Sequence, residues 1–295
     1  MLGLNEFLFG VVVPGFVAGI GLALVWRPWQ RGDAALRPAG GWLALFSGLA
    51  LFAGYALLFE SPPHPFGKRV PAGLDNLIWI AVLAGPLLLG ERRLRGQVRI
   101  VPALLVATVL FGVLRAMLQH HWERGEAALW LVGLAAVLAM LTFAAERTNR
   151  TSSRATMPLV LLICATGLSL ACGLTGSAKL GQTTGMLCAA LGAAAILGAW
   201  HPGFRLGQAD VVHAVTVLFG LGLCGRFFSE LPDIDALLVA AGLPAAAAVR
   251  HWTRSRPPLQ GAAATILAAA IPVGIAVART MMAFDMGGED EYYDY

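Results

Sequence analysis

Apolar residues gather along this chain in ten blocks, at about 7–26, 41–59, 73–90, 99–119, 127–146, 157–176, 183–200, 211–229, 234–250 and 260–282, with short polar stretches between them. A bilayer core about 30 Å thick is crossed by roughly 20 residues of α-helix, so the pattern predicts ten spanning helices. The third and ninth blocks, about 18 and 17 residues long, are the weakest. Each contains a proline, Pro86 or Pro244, beside or near a glycine, which predicts kinked or partly re-entrant helices there. The expected fold is therefore an all-α, polytopic helical membrane bundle. It forms one transmembrane domain over 1–286, followed by a flexible acidic tail over 287–295.

Charge supports this reading and orients it. Arg27, Arg31, Arg37, Arg92, Arg93, Arg95, Arg99, Arg147, Arg150, Arg154, Arg205, Arg250, Arg254 and Arg256 fall on one side of a ten-helix arrangement, which is 14 of the 21 Lys and Arg residues. The other side has Lys68, Arg69, Arg115, Arg124, Lys179, Arg226 and Arg279. By the positive-inside rule both termini are then non-cytoplasmic, and the expected location is a bacterial inner membrane.

Composition agrees. The chain is 58% hydrophobic and 13% charged with a mean hydropathy of +0.72, against about 45–50% and about 25% for soluble domains. Glu6 is the only charged residue before the first block, so that block reads as a retained helix and not a signal peptide. Cys164, Cys172, Cys188 and Cys224 all lie in apolar stretches and form no CxxC or CxxH spacing, so they read as small core residues. The net charge of +4 comes mostly from short loops and implies no nucleic-acid partner.

Two parts of the chain echo each other. Trp26-Arg-Pro-Trp-Gln-Arg31 ends the first block and Trp200-His-Pro-Gly-Phe-Arg205 ends the seventh, while Leu57-Leu-Phe-Glu60 ends the second and Phe227-Phe-Ser-Glu230 ends the eighth. Blocks three and nine both open with an aspartate, Asp75 and Asp235. This predicts a parallel duplication of helices one to four as helices seven to ten. The competing account is that tryptophan, proline and arginine recur wherever helices meet an interface.

Ionisable groups are costly in hydrocarbon, so their depth points to candidate chemistry. The central third of nearly every block lacks Asp, Glu, Lys and Arg. Glu60, Asp75, Arg115, Arg226, Glu230 and Asp235, with Asp233, instead map to the helix ends away from the arginine-rich loops, and His64, His120 and His121 lie in loops on that side. If these ends converge they form an outward-facing polar vestibule. Arg226 and Glu230, four apart, are expected to pair. Asp75 and Asp235 precede apolar runs and also fit helix caps. Adjacent histidines in His120-His121-x-Glu123 point apart on a helix, so no metal is assigned.

The stretch 166–185 is rich in small and hydroxylated residues. Gly181 and Gly185 have a GxxxG spacing, as do Gly15 and Gly19, which predicts close helix packing; Lys179 nearby is a candidate anion contact. The chain has no Walker A run, no GxGxxG after a strand, no nucleophile elbow, no HExxH and no spaced intramembrane histidine pair suited to haem, so no cofactor is expected. Three functional classes stay open. They are a transporter or permease for a small solute, a structural or assembly subunit that binds other membrane proteins, and an enzyme acting on a lipid-linked substrate. The corresponding partners are the bilayer with an unidentified solute or lipid headgroup, or further subunits.

The topology is testable in whole cells. Single cysteines introduced between Arg92 and Arg99 or between Arg147 and Arg154 should be shielded from an impermeant thiol reagent, and one placed after Gly288 should react. Reactive arginine loops with a shielded tail would reverse the orientation.

Overall fold

The computed structural model describes residues 4–26, 37–38, 41–64, 72–91, 100–152, 154–201 and 204–287. The described residues form ten helices, one for each apolar block. The first, α1, runs without a break through Leu4–Phe7, a π-helical stretch Leu8–Val12 and Val13–Trp26. The others are α2 (Trp42–Leu58), α3 (Ala72–Glu91), α4 (Ile100–His120), α5 (Arg124–Thr151), α6 (Thr156–Leu174), α7 (Ala178–Trp200), α8 (Gln208–Phe228), α9 (Asp233–Trp252) and α10 (Pro258–Gly287). Seven of them, α1 and α5 to α10, are long and apolar enough to cross a membrane, and the apolar parts of α2, α3 and α4 are shorter. The chain is an all-α polytopic membrane protein. Pro86 and Pro244 lie inside α3 and α9, each a continuous helix of 20 residues, so neither segment is re-entrant. The carbonyl that each proline leaves unpaired is tolerated within a bundle.

One helix organises the rest. α8 is enclosed by α2, α3, α4, α5, α9, α6 and α7, taken in order around it, while α1 lies outside the groove between α2 and α7 and α10 outside that between α6 and α9. Small residues set the closest approaches. A Cβ added at Gly48 would lie 2.5 Å from the Ala81 carbonyl oxygen, and one at Gly85 would lie 2.5 Å from Leu45 Cα, so α2 and α3 touch backbone to backbone. Gly15 and Gly19 of α1 face Ala189 and Ala193 of α7, and Ser169 of α6 donates a 2.7 Å hydrogen bond to the Gly181 carbonyl of α7. The GxxxG spacings thus mark tight helix pairs.

The expected duplication fails at the level of packing. α8 is the central helix whereas α2, its proposed counterpart, belongs to the ring; α1 packs broadly on α2 while α7 meets α8 over a short length. What does recur is local. Glu60 and Glu230, just after α2 and α8, are the only non-glycine residues with positive φ among the described residues, at 52° and 56°, and each is followed two positions later by a proline. Left-handed geometry ends a helix by turning the chain away. Helix ends with the same task therefore look alike without common packing. The Trp26 motif lies mostly outside the described residues, but the two loops concerned do meet, because Arg37 and Pro38 pair in parallel with Phe204 and Arg205.

The arginine-rich face is bound together by polar contacts. Asn149 Nδ2 donates to the Leu206 carbonyl at 3.0 Å, Arg205 to the Asn149 carbonyl, Gln208 to Glu146 at 2.9 Å, and Arg250 Nε to the Thr151 carbonyl at 2.8 Å. At its centre is Asp210, in the first turn of α8 and wholly buried. Its Oδ2 accepts the Gly207 N–H at 2.9 Å and its Oδ1 accepts the Ala44 N–H of α2 at 3.1 Å. One carboxylate therefore serves the N-termini of two helices, where unpaired N–H groups and the positive dipole ends converge. Asp210→Ala should lower stability by about 3–6 kcal/mol, the loss of two hydrogen bonds to a charged acceptor, measured as a fall in unfolding midpoint in detergent. Asp210→Asn, which keeps one acceptor oxygen, should lose less. An unchanged midpoint for the alanine variant would show that the two helix ends hold each other without it.

Candidate functional site

Four of the residues singled out by depth, Asp75, Arg226, Asp233 and Asp235, take part in three hydrogen-bonded groups on the face away from the arginines. In the first, Tyr55 of α2 donates a 2.5 Å hydrogen bond to Asp75 Oδ1 of α3, and the His64 backbone N–H reaches Asp75 Oδ2 at 3.4 Å. Lys179 Nζ of α7 lies 4.7 Å from the Tyr55 ring centroid and 5.0 Å from that of Phe59. Both distances are within cation–π range. The acid, the phenol and the ammonium thus belong to one cluster at the ends of α2, α3 and α7. Glu60 lies beside it in the chain, exposed in its left-handed turn.

The second group joins α8 to α9. Arg226 Nε and Nη2 engage the two carboxylate oxygens of Asp233, the latter at 3.1 Å, and its guanidinium lies 5.8 Å from the Phe227 ring. Asp233 takes the place expected for Glu230. The i,i+4 rule holds only within a helix, and α8 stops at Phe228, so Glu230 turns out of helical register in its left-handed conformation. The third group holds Asp235, which is 2% exposed: Arg279 Nε of α10 donates to its Oδ1 at 3.0 Å and Thr280 to its Oδ2 at 3.5 Å. Both aspartates lie in the first turns of their helices, where the dipole favours them. Yet their carboxylates bond across to other elements, and the α9 N-cap has no side-chain hydrogen bond. His120 and His121 are exposed at the end of α4.

Two cavities open on this side. One, of about 460 Å³, lies among α5, α8 and α9; Leu134, Leu141, Phe219, Gly222, Ala236 and Leu243 are among its apolar walls, and Arg226 and Asp233 are its charged members. Trp130 also lines it and stacks on Trp122 at 5.6 Å between ring centroids, with the edge of Phe227 against both. The second, of about 550 Å³, lies between α3 and α4 and is lined by Asn76, Trp79, Ile80, Phe111, Gly112 and Arg115. Glu60, Asp75, Glu230 and Asp235 line neither.

Tyr55 and Asp210 carry interactions that the depth of charged residues does not reveal. A phenol in an apolar block carries no charge to stand out. Asp210 falls one residue before the eighth block, and its visible signal is an acid three residues after Gly207, ahead of an apolar run.

The buried Asp235 makes the third group a stability element. Arg279→Met should cost about 1–3 kcal/mol by leaving a buried carboxylate short of its donor, and Asp235→Asn added to it should recover part of that loss. The double-mutant cycle in detergent checks this; strictly additive losses would mean that the two side chains do not act as a pair. No family model and no curated protein matches the chain, so its functional reading rests on these groups and cavities.

Proposed function

We propose that this membrane protein binds an amphipathic lipid or lipid-linked molecule in the cavity among α5, α8 and α9, with the apolar chain inside and a zwitterionic headgroup at Arg226 and Asp233. The observation that carries this reading is the cavity itself, an apolar chamber with a single exposed ion pair. Its volume falls in the range of ligand sites, about 300–1,000 Å³. A small hydrophilic solute would find few partners on those walls, and Asp75 and Asp235 are already engaged by protein donors. A lipid chain finds a lining that matches it.

The headgroup follows from the ion pair. Arg226 spends two N–H groups on Asp233 and has three more for a phosphate, while the outer side of the Asp233 carboxylate suits an ammonium. Trp122, Trp130 and Phe227 beside them supply the amphipathic rings that favour the headgroup level of a bilayer. Access is sideways from the hydrocarbon, since α5 is the least buried of the spanning helices and Leu237 of α9 is exposed beside it. Such a site would serve a lipid carrier as a loading position or an enzyme as its substrate pocket. The groove at Arg115 repeats the design, apolar walls with one arginine, on a smaller polar scale.

Gly222 provides a clean test, because it lines the cavity and a Cβ added there meets nothing within 4 Å. In nanodiscs containing phosphatidylethanolamine with a photoreactive acyl chain, crosslinks should map to the α5 and α9 residues of the cavity. Gly222→Leu should reduce them about tenfold, equivalent to roughly 1.4 kcal/mol or two buried methylenes, without changing labelling of the lipid-facing Phe16 and Ile20 on α1. Replacing the probe lipid by its phosphatidylglycerol analogue should weaken labelling. Equal crosslinking in wild type and Gly222→Leu would remove the proposal.

A further inference from the structure

Inside the ring, α8 carries polar atoms with no counterpart. His213 is 1% exposed and Thr216 3%, and neither ring nitrogen of His213 nor the Thr216 hydroxyl has a hydrogen-bond partner. Three unsatisfied polar atoms within one turn of the buried part of this helix each cost about 1–3 kcal/mol if left bare. Most buried polar atoms in proteins are paired with protein or ordered water. The arrangement on α8 calls for a partner that the described residues do not supply.

We propose that His213 and Thr216 form an internal hydration site, holding at least two water molecules between α8 and the α2–α4 side of the bundle. The position follows from helix periodicity. Ala209, His213, Thr216 and Gly220 share one face of α8; Ala209 packs on the cluster of Ala44, Ala84, Leu88 and Leu105, and Gly220 lies against Leu77 of α3 and Val109 of α4. His213 and Thr216 lie between those two contacts.

The number of waters follows from imidazole chemistry. A neutral ring has one N–H donor and one acceptor nitrogen on opposite edges, so a single water cannot serve both. One water bridging a ring nitrogen to the Thr216 hydroxyl satisfies two of the three atoms, and a second takes the remaining nitrogen. Ser47 offers a further anchor at the same depth. Ala44 of α2 is bonded to Asp210 of α8, alternate helices run in the same direction, and Ser47 and His213 each lie three residues further on. Ser47 is buried and donates to the Ala44 carbonyl at 3.3 Å, which leaves its oxygen free to accept. Waters in such sites make two to four hydrogen bonds each, and the two ring nitrogens and two hydroxyls here offer about two to each water.

Histidine C2–H exchange in D2O, read by mass spectrometry on the whole protein in lipid nanodiscs, reports whether water reaches each imidazole. His213 should exchange measurably despite its burial. Thr216→Val, which keeps the side-chain shape and removes the hydroxyl, should slow that exchange between about two- and tenfold, the range set by one lost hydrogen bond. Thr216→Ser should restore it, with exchange at the exposed His64 and His120 unchanged throughout as a check on folding. Absence of exchange at His213 over a period in which His64 exchanges fully would show a dry histidine and overturn the proposal. An unaltered His213 rate in Thr216→Val would overturn the shared water.

Discussion

The structure depends on one constraint: a helix that touches no lipid must find every polar partner inside the protein. α8 comes nearest to that position, with seven helices around it and only its flank at Phe219 and Gly222 facing the cavity. Its N-terminal N–H groups cannot turn to water without breaking the enclosure, and Asp210 answers this by folding back to Gly207 while also reaching Ala44 on α2. The same bond fixes the relative depth of α2 and α8. From that anchor the remaining ring helices take their heights, through backbone contact at Gly48 and Gly85 and through the polar contacts of Asn149, Arg205 and Gln208.

The polar residues on the other face obey the same constraint differently. Asp75 and Asp235, near the membrane boundary but sheltered, are held by Tyr55 and by Arg279. Arg226 and Asp233 remain exposed and meet an apolar chamber. Internally satisfied groups tie helices together, while the exposed pair keeps unused hydrogen-bonding capacity. This contrast separates the elements that hold the bundle from the place where a ligand is held.

How much of this was legible in the sequence follows from what lipid permits. The ten helices were readable because hydrocarbon leaves the backbone few alternatives, so even Pro86 and Pro244 did not interrupt them. The glycine spacings at Gly15 and Gly19 were readable for a related reason, since small residues at period four have one effective use. The order of packing was hidden. Each helix is apolar nearly all round, so nothing in the composition of α8 marks it as central, and the recurrence of Glu60 as Glu230 reported a shared way of ending a helix. Depth told which charged residues mattered, but partners depended on where helices stop. Arg226 meets Asp233 because α8 ends two residues short of Glu230. His213 escaped notice because a neutral histidine among valines registers neither as a charge nor as a break in the apolar run.

The position of α8 also bears on how the chain is assembled. Helices enter a membrane in the order of synthesis, and the helix at the centre is the eighth of ten. When α8 arrives, α2 to α7 have left it a slot that is still open, because α5 and α6 meet each other only slightly and α9 is the helix that lies between them in the finished ring. The face of α8 that lines the cavity with α5 and α9, with Phe219 and Gly222, therefore remains accessible until α9 is in place. The first and last helices, α1 and α10, are outer staves added to a barrel that closes with its ninth. Closure of the bundle interior thus waits for the ninth helix, and until then the open crescent borders the membrane.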